Sequence, residues 1–320
     1  KILFLIIGIS LCLSLVSHSA SIDDGSWYPF YFSKKLDPNS LLNVGKLVLD
    51  PPAGKHGFVK VKDGHFYFED GIRAKFWGVN ICYQSCFPDH KTAEKIATLF
   101  SWLGFNAVRF HQPDLGYSPR GIFLNKETTN QLSPQQLEKL DYFIYQLKIR
   151  GIYTYLTLHS GRQFTDNDSV KELSKLPEFA KYVSLFDSHL IALQKIYAKQ
   201  LLEHVNPYTK LSCSSDPAIA FVEITNENSL FSAWEIDFFV NMPDFYKKEL
   251  IDLWYTWITQ NRLKKTYDKP IMSNAQTNEQ LDFIPFQKRF VYPESETNAF
   301  INFLLFLEGN YFTGMKSFLE

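Results

Sequence analysis

The sequence predicts an α/β fold in which parallel strands build a TIM (β/α)8 barrel, represented by about four strands and preceded by a small antiparallel β cap. Three observations predict it. Apolar stripes at helical spacing alternate with short strand-like runs from about residue 73 onward. Each helical stripe ends at a glycine or at an Asn-Pro pair. Polar residues follow the end of each predicted strand, where barrels carry their sites.

The first segment, residues 1–20, is an apolar run that begins with Lys1 and ends in small residues near Ser17, Ser19 and Ala20. This pattern predicts a secretory signal peptide that is cleaved near Ala20. A membrane anchor is the alternative, because the run is borderline in length for spanning a bilayer, but the small polar exit favours cleavage. We therefore expect a secreted, periplasmic or cell-surface protein without stable membrane insertion.

Residues 21–72 predict the β cap. Polar and apolar residues alternate from about residue 56, and the pairs Asp63-Gly64 and Asp70-Gly71 indicate turns between short antiparallel strands. The barrel itself is assigned to residues 73–320.

Three predicted helices alternate with strands in the first part of the barrel. Gly104 ends the first helix before the strand NAVRF, and Ser133-Pro134 opens the second helix, with Gln136 completing a capping box. Gly151 ends that helix before IYTYLTL, and a third helix over about residues 190–205 precedes AIAFVEIT. Further predicted elements are a helix over about residues 243–261, an irregular insertion over about 267–296 and a final helix that reaches the last residue.

Such an alternation fits either an open doubly wound sheet or a closed barrel. No Gly-rich phosphate loop follows the first strand, GVNIC, which argues against a dinucleotide-binding open sheet. Polar residues instead collect where four consecutive strands end, which favours the barrel. Each of them also has a purely structural interpretation when it is taken singly. They are Asn80, Arg109, His111, His159, Asn226 and Glu227.

These motifs resemble the clan A glycoside hydrolases, and most closely family 5, the cellulase-like group. The resemblance covers roughly residue 58 onward and is carried by GVN, NAVRFH, LTLHS and above all DPAIAFVEITNENSL. It implies a retaining glycosidase of β-linked glucans or mannans in which Glu227 is the general acid/base. It also implies that Asn226 holds the sugar 2-hydroxyl and that Arg109 supports the nucleophile. His159, and more weakly His111, match further sugar-contacting positions, and Asn80 lies at the same rim.

A retaining mechanism needs two carboxylates about 5 Å apart. Glu223 competes with Glu227 on the same strand, but it lies deeper between Val222 and Ile224, so we expect it to be the buried partner of Arg109. In the family the nucleophile follows strand seven, and this sequence predicts only four barrel strands before Glu320. The expectation is therefore a fragment without its nucleophile. A non-catalytic carbohydrate-binding barrel is the alternative function.

Composition and motifs exclude several classes of partner and cofactor. The 33 basic and 34 acidic residues give a formal net charge of −1, and no basic tract is present, so nucleic acid is not an expected partner. No Cys/His spacing resembles a metal site, no cofactor motif occurs, and the absence of GxSxG argues against an esterase.

Cys82, Cys86 and Cys213 fit either one disulfide with one free thiol or three thiols. Four aromatic residues fit either the core or the rim, with the core favoured for the first. They are Trp77, Tyr83, Tyr117 and Trp234.

Overall fold

The computed structural model describes residues 36–263 and 283–320, and it begins with a one-turn helix followed by a short hairpin. The predicted signal peptide, the start of the cap segment and residues 264–282 of the predicted insertion lie outside the described residues. After a one-turn helix α1 (Gly45–Val48), strand β1 (Val59–Lys62) pairs antiparallel with β2 (His65–Phe68). Asp63 and Gly64 join the strands with φ values of 50° and 73°, the left-handed pair that a type I′ hairpin requires.

Four parallel strands follow, and they are neighbours in chain order: β3 (Gly78–Cys82), β4 (Ala107–His111), β5 (Tyr153–His159) and β6 (Ile219–Thr225). The connections between them run through α2 (His90–Leu103), α3 (Pro134–Lys148) and α4 (Ser188–Leu202). Sequential parallel strands joined by crossover helices are the arrangement of the first half of a (β/α)8 barrel. The predicted fold class is confirmed over this part of the chain.

The helix boundaries have local causes. The Asp89 carboxylate accepts from the Thr92 amide at 2.7 Å and caps α2, and Gly104 ends this helix with φ 79°. Ser133 caps α3 by accepting from the Gln136 amide at 3.4 Å. The predicted capping box is only half formed, because the Gln136 side chain donates to the Pro119 carbonyl at 2.9 Å instead of turning back to its own helix.

One face of the sheet packs against these helices. Apolar residues of the four strands alternate onto that face and contact the stripes of α2, α3 and α4 in one buried cluster. Period-two alternation places the intervening residues on the opposite face, except that the pairing of β6 with β5 shifts by one residue after Ile219. The strand members of the buried cluster are Ile81, Val108, Phe110, Leu156, Leu158 and Ile219.

The hairpin covers the amino ends of the strands. Phe66 and Phe76 pack edge-to-face on Phe221 with ring centroids 5.1 and 5.0 Å away, and Phe68 stacks on Tyr153 at 5.3 Å. The hairpin therefore lies at the end of the sheet opposite to the carboxyl ends of these strands. The core position favoured for Trp77 is wrong, since this side chain is 71% exposed beside the aromatic cap.

Helices dominate the chain after β6: α5 (Leu230–Glu235), α6 (Phe238–Asn241), α7 (Asp244–Gln260) and α8 (Glu294–Leu319). They share an aromatic core in which Trp254 packs edge-to-face on Phe303 at 5.2 Å, and Trp234 is buried there. The helices predicted over 243–261 and at the end of the chain are present. No helix among the described residues combines the length and apolar character needed to cross a membrane.

The three cysteines of the described region are thiols. Cys82 is exposed on β3, whereas Cys86 and Cys213 are buried. Burial raises the pKa of Cys213 to about 12, so this thiol behaves as a small apolar side chain.

Candidate active site

The register of the sheet brings the predicted site residues onto one face. Asn80 is paired with Arg109, and Arg109 with Tyr155, while Thr157 is paired with Glu223. On β3, β4 and β5 these residues alternate with the apolar ones that contact the helices, and Glu223 is paired with Thr157 beyond a register shift in β6. All of these side chains therefore occupy the opposite, inner face. His111 and His159 follow on the same face at the carboxyl ends of β4 and β5.

An ion pair between Arg109 and Glu223 forms the centre of this face. Arg109 donates from Nε at 3.0 Å and from Nη2 at 2.6 Å to Oε2 of Glu223, and only 18% and 19% of the two side chains are exposed. Burial lowers the pKa of Arg109, but the bond to Glu223 and its charge outweigh burial, so the pKa is raised overall. The expected pairing of Glu223 with this arginine is present.

The same guanidinium orients Asn226. Arg109 Nη2 also donates to Oδ1 of Asn226 at 2.8 Å. Because a guanidinium only donates, the amide oxygen must face it and the Nδ2 group must face away. Nδ2 has no other partner in the described part of the chain. Asn226 thus presents a hydrogen-bond donor to any ligand that enters this face.

Glu227 follows on a strained turn. Its φ of 45° is in the left-handed region, which costs a residue with a side chain on the order of 1–3 kcal/mol. The side chain is exposed beyond the end of β6. Such strain persists only where the surroundings impose it, and it is typical of sites where a side chain must be aimed.

The residues after Glu227 supply this constraint. Asn228 is buried, accepts from the Tyr182 amide at 2.8 Å and donates to Oγ of Ser184 at 3.0 Å. Ser229 caps α5 and donates from Oγ to the Glu308 carboxylate of α8 at 2.8 Å. Contacts from two other parts of the chain therefore hold the turn that carries Glu227.

The pKa of each of the two histidines is lowered. Burial, followed by the charges of Arg162 and Lys181, lowers the pKa of His159 to about 3. Burial and then the charge of Arg109 lower the pKa of His111, although the carboxylates of Glu223, Asp114 and Glu227 oppose this. Nδ1 of each imidazole is buried without a hydrogen-bond partner among the described residues.

The structure connects the predicted site residues unequally. Arg109 and Asn226 are bonded to each other, and His111 is close enough to Glu227 for its pKa to respond to that carboxylate. Asn80 shares their face through its register with Arg109, but it is exposed and bonds to none of them.

Two further residues belong to the site and were not predicted. Thr157 donates from Oγ1 to Oε2 of Glu223 at 2.7 Å, so this oxygen accepts three hydrogen bonds. Tyr155 lies under Arg109, whose guanidinium carbon is 5.3 Å from the ring centroid. Counting back by twos from His159 along β5 would have placed both residues on this face.

Behind His159 a buried carboxylate joins two loops. Asp114, in the loop after β4, accepts from the Ser160 amide at 2.9 Å, from Ser160 Oγ at 2.8 Å and from the Gly161 amide at 3.0 Å. Burial raises the pKa of Asp114, while these bonds act in the opposite direction. The loops that follow β4 and β5 are thereby tied together at the rim.

Neither a protein-family profile nor a curated protein matches this sequence. Among solved structures, the fold is similar to an endo-1,4-β-mannanase from Rhizomucor miehei, with 21% identity, TM-score 0.44, and coverage of 54% of this chain and 49% of that chain. It is also similar to a glycoside hydrolase family 5 mannosidase from the same organism, with 16% identity, TM-score 0.43, and coverage of 61% and 54%. A third similar structure is an endo-β-1,4-mannanase from Thermotoga petrophila, with 17% identity, TM-score 0.37, and coverage of 57% of this chain and 40% of that chain.

The chain spans about half the length of these structures or less. They include family 5 glycoside hydrolases, the family that the sequence motifs resemble.

Proposed function

We propose that the whole protein is a secreted glycoside hydrolase that cleaves O-glycosidic bonds of β-linked glucans or mannans by a retaining mechanism. The observation that carries the proposal is the bridging position of Arg109, whose Nη2 reaches both Glu223 and Asn226 immediately before the strained Glu227. These groups lie at the carboxyl ends of parallel strands, where barrel enzymes bring together their catalytic side chains.

Glu227 is the proposed general acid/base. Its exposed carboxyl group can protonate the glycosidic oxygen and later take a proton from the attacking water. The Nδ2 group of Asn226 is proposed to donate to a hydroxyl of the reacting sugar. His111, His159 and Asn80 are proposed sugar contacts along the same rim.

Retention of configuration needs a second carboxylate as the nucleophile. Oε2 of Glu223 already accepts three hydrogen bonds, and this side chain is committed to Arg109. We propose that the nucleophile belongs to a part of the protein outside the present sequence, and that Arg109 supports it there.

Substitution Glu227→Gln in the full-length protein tests the proposal. Loss of the transferable proton should lower kcat on a panel of β-linked mannans and glucans by about 10²–10⁴-fold, the usual contribution of a general acid. Binding of oligosaccharides should persist. The matched control is Glu235→Gln. Glu235 is also exposed, but it lies at the end of α5, and its substitution should leave activity unchanged.

The outcome that would sink the enzyme proposal is wild-type protein that binds oligosaccharides but turns none over, with Glu227→Gln indistinguishable from it. That result would assign the protein to the alternative class, a carbohydrate-binding barrel.

We also propose export through residues 1–20, whose composition fits a cleaved signal peptide. The amino terminus of protein recovered from outside the cytoplasm should lie near Ser21. A mature chain that still carries the apolar run would contradict this proposal.

A further inference from the structure

A small cavity lies beside the candidate active site, between the loop that follows β4 and the loop that follows β5. Its volume is about 160 Å³. Phe164 connects it with the site, because this ring lines the cavity and its centroid lies 6.4 Å from that of His159. The side chains that matter for recognition are Tyr117, Asn125, Lys126 and Gln163.

The floor of the cavity is buried and hydrogen-bonded. Phe123 and Thr129 line it and are 1% and 5% exposed. Arg162 lies behind them, with its guanidinium carbon 4.8 Å from the centroid of Phe164, and it donates from Nε to Oγ1 of Thr129 at 2.8 Å. Asp168 accepts from the Thr129 amide and hydroxyl, both at 2.9 Å. Preformed floors of this kind are typical of small-molecule sites.

The walls carry groups that are free to bind a ligand. Tyr117 is 48% exposed, and the side chains of Tyr117, Lys126 and Gln163 have no hydrogen-bond partner within the described ranges. Asn125 accepts from the Glu127 amide through Oδ1 at 2.9 Å, which leaves its Nδ2 group as a donor. One phenol ring, two amides and an amine thus surround the opening.

This combination suits a sugar ring. Amide and amine groups hydrogen-bond to hydroxyls, and the electron-rich face of a tyrosine packs on the C–H groups of a pyranose. The volume is below the ~300 Å³ at which pockets for drug-sized ligands begin, so it accommodates a single ring and not a disaccharide.

We propose that this cavity, which we call the Tyr117 subsite (Tyr117, Asn125, Lys126, Gln163 and Phe164), binds one sugar ring of the β-linked chain. It adjoins the reacting sugar on the side of His159. The proposal rests on the proposed function, and it adds the prediction that affinity depends on chain length through Tyr117 and Gln163.

The test measures binding of β-1,4-linked manno- and cello-oligosaccharides of increasing length to full-length protein by isothermal titration calorimetry. The Glu227→Gln background prevents hydrolysis. In that background the affinity should rise once the oligosaccharide is long enough for one of its sugar rings to reach the Tyr117 subsite. Tyr117→Ala and Gln163→Ala should each abolish this rise and weaken the longer ligands about tenfold, while shorter ligands bind unchanged. Tyr255→Ala, at a tyrosine on α7 that is 37% exposed, is the matched control.

Equal affinities of the parent, Tyr117→Ala and Gln163→Ala proteins at every length would overturn the subsite and leave the proposed function intact. Full-length wild-type protein that neither binds nor cleaves any of these oligosaccharides would overturn the proposed function itself. Both substitutions are at exposed positions, so folding is not at issue.

Discussion

Two arginines near the same rim have opposite environments. Arg109 is 18% exposed at its side chain and bonds to a carboxylate, Glu223, and to the amide of Asn226. Arg162 is 1% exposed and donates to neutral oxygens: the Thr129 hydroxyl at 2.8 Å, the Thr129 carbonyl at 3.0 Å and the Leu193 carbonyl at 2.7 Å. Burial lowers the pKa of Arg162 to about 10, whereas the pKa of Arg109 is raised.

The two environments indicate two roles: Arg109 orients a functional group, the amide of Asn226, whereas Arg162 supports the loops. Arg109 is partly exposed to solvent, and its hydrogen bond to Oδ1 of Asn226 turns the Nδ2 group of that amide toward the inner face of the sheet. The charge of Arg162 is enclosed by the rings of Phe123, Phe164 and Tyr197, and its donors bond to a loop carbonyl at Thr129 and to a helix carbonyl at Leu193. Removing the first arginine should therefore impair function, and removing the second should impair folding.

The largest expected effect is on stability, from Arg162→Met in the full-length protein. Two buried oxygens of Thr129, the hydroxyl and the carbonyl, would lose the guanidinium as a donor, and each such loss costs about 1–3 kcal/mol. The free energy of unfolding in urea should fall by about 2–6 kcal/mol. Arg120→Met, at an exposed arginine of the loop that follows β4, should change it little. If both variants unfold at the same urea concentration as wild type, Arg162 does not support the fold.

The next effect concerns pH and His159, which lies between the two regions. Its folded pKa of about 3 is below the ordinary value of 6.5, so the unfolded chain takes up its proton first as the pH falls. This contribution to stability is complete above pH 6.5 and is lost progressively toward pH 3. At 1.36 kcal/mol per pH unit, and with the unfolded imidazole already half protonated at pH 6.5, the loss between pH 6.5 and 4.5 is about 2.3 kcal/mol.

The measurement compares the unfolding free energies of wild type and His159→Gln at the two pH values. The stability advantage of wild type should shrink by about this amount on acidification. The exposed His65→Gln is the control and should follow wild type. A constant difference between wild type and His159→Gln would show that the buried imidazole does not resist protonation.

The smallest expected effect is on catalysis, from Glu223→Gln. The substitution keeps the shape and an acceptor for Arg109 but removes the charge, so the orientation of Asn226 is weakened and not abolished. We expect kcat/KM to fall about tenfold, equivalent to about 1.4 kcal/mol. Glu223→Asp keeps the charge and should recover part of the loss. Wild-type kcat/KM in Glu223→Gln would remove Glu223 from any positioning role.

Several features could be predicted from sequence because they depend on neighbouring residues. Gly104 and the Asp63-Gly64 pair adopt the left-handed backbone that their places in the sequence indicate. The pairing of Arg109 with Glu223 was also predictable, since a carboxylate deep in a buried strand needs a cationic partner on the same face.

Other features depended on residues far away in the chain. Gln136 has the spacing of a capping box, but the Pro119 carbonyl, brought near by the loop, takes its side chain. Trp77 has strand-like neighbours, yet its side chain is exposed, and the aromatic contacts at the amino ends of the strands are made by other rings. Neither outcome has a local signal.

By itself, the sequence determined the alternation of strands and helices, the ends of the helices and the set of polar residues at the carboxyl rim, since each follows from periodicity or from short-range backbone preference. Only the tertiary structure decided how that set is connected. The amide of Asn226 is aimed by an arginine 117 positions earlier, and α8 holds the turn of Glu227 through Glu308, 79 positions after Ser229. Bonds across such separations depend on how the chain packs, and packing is a property of the folded chain as a whole.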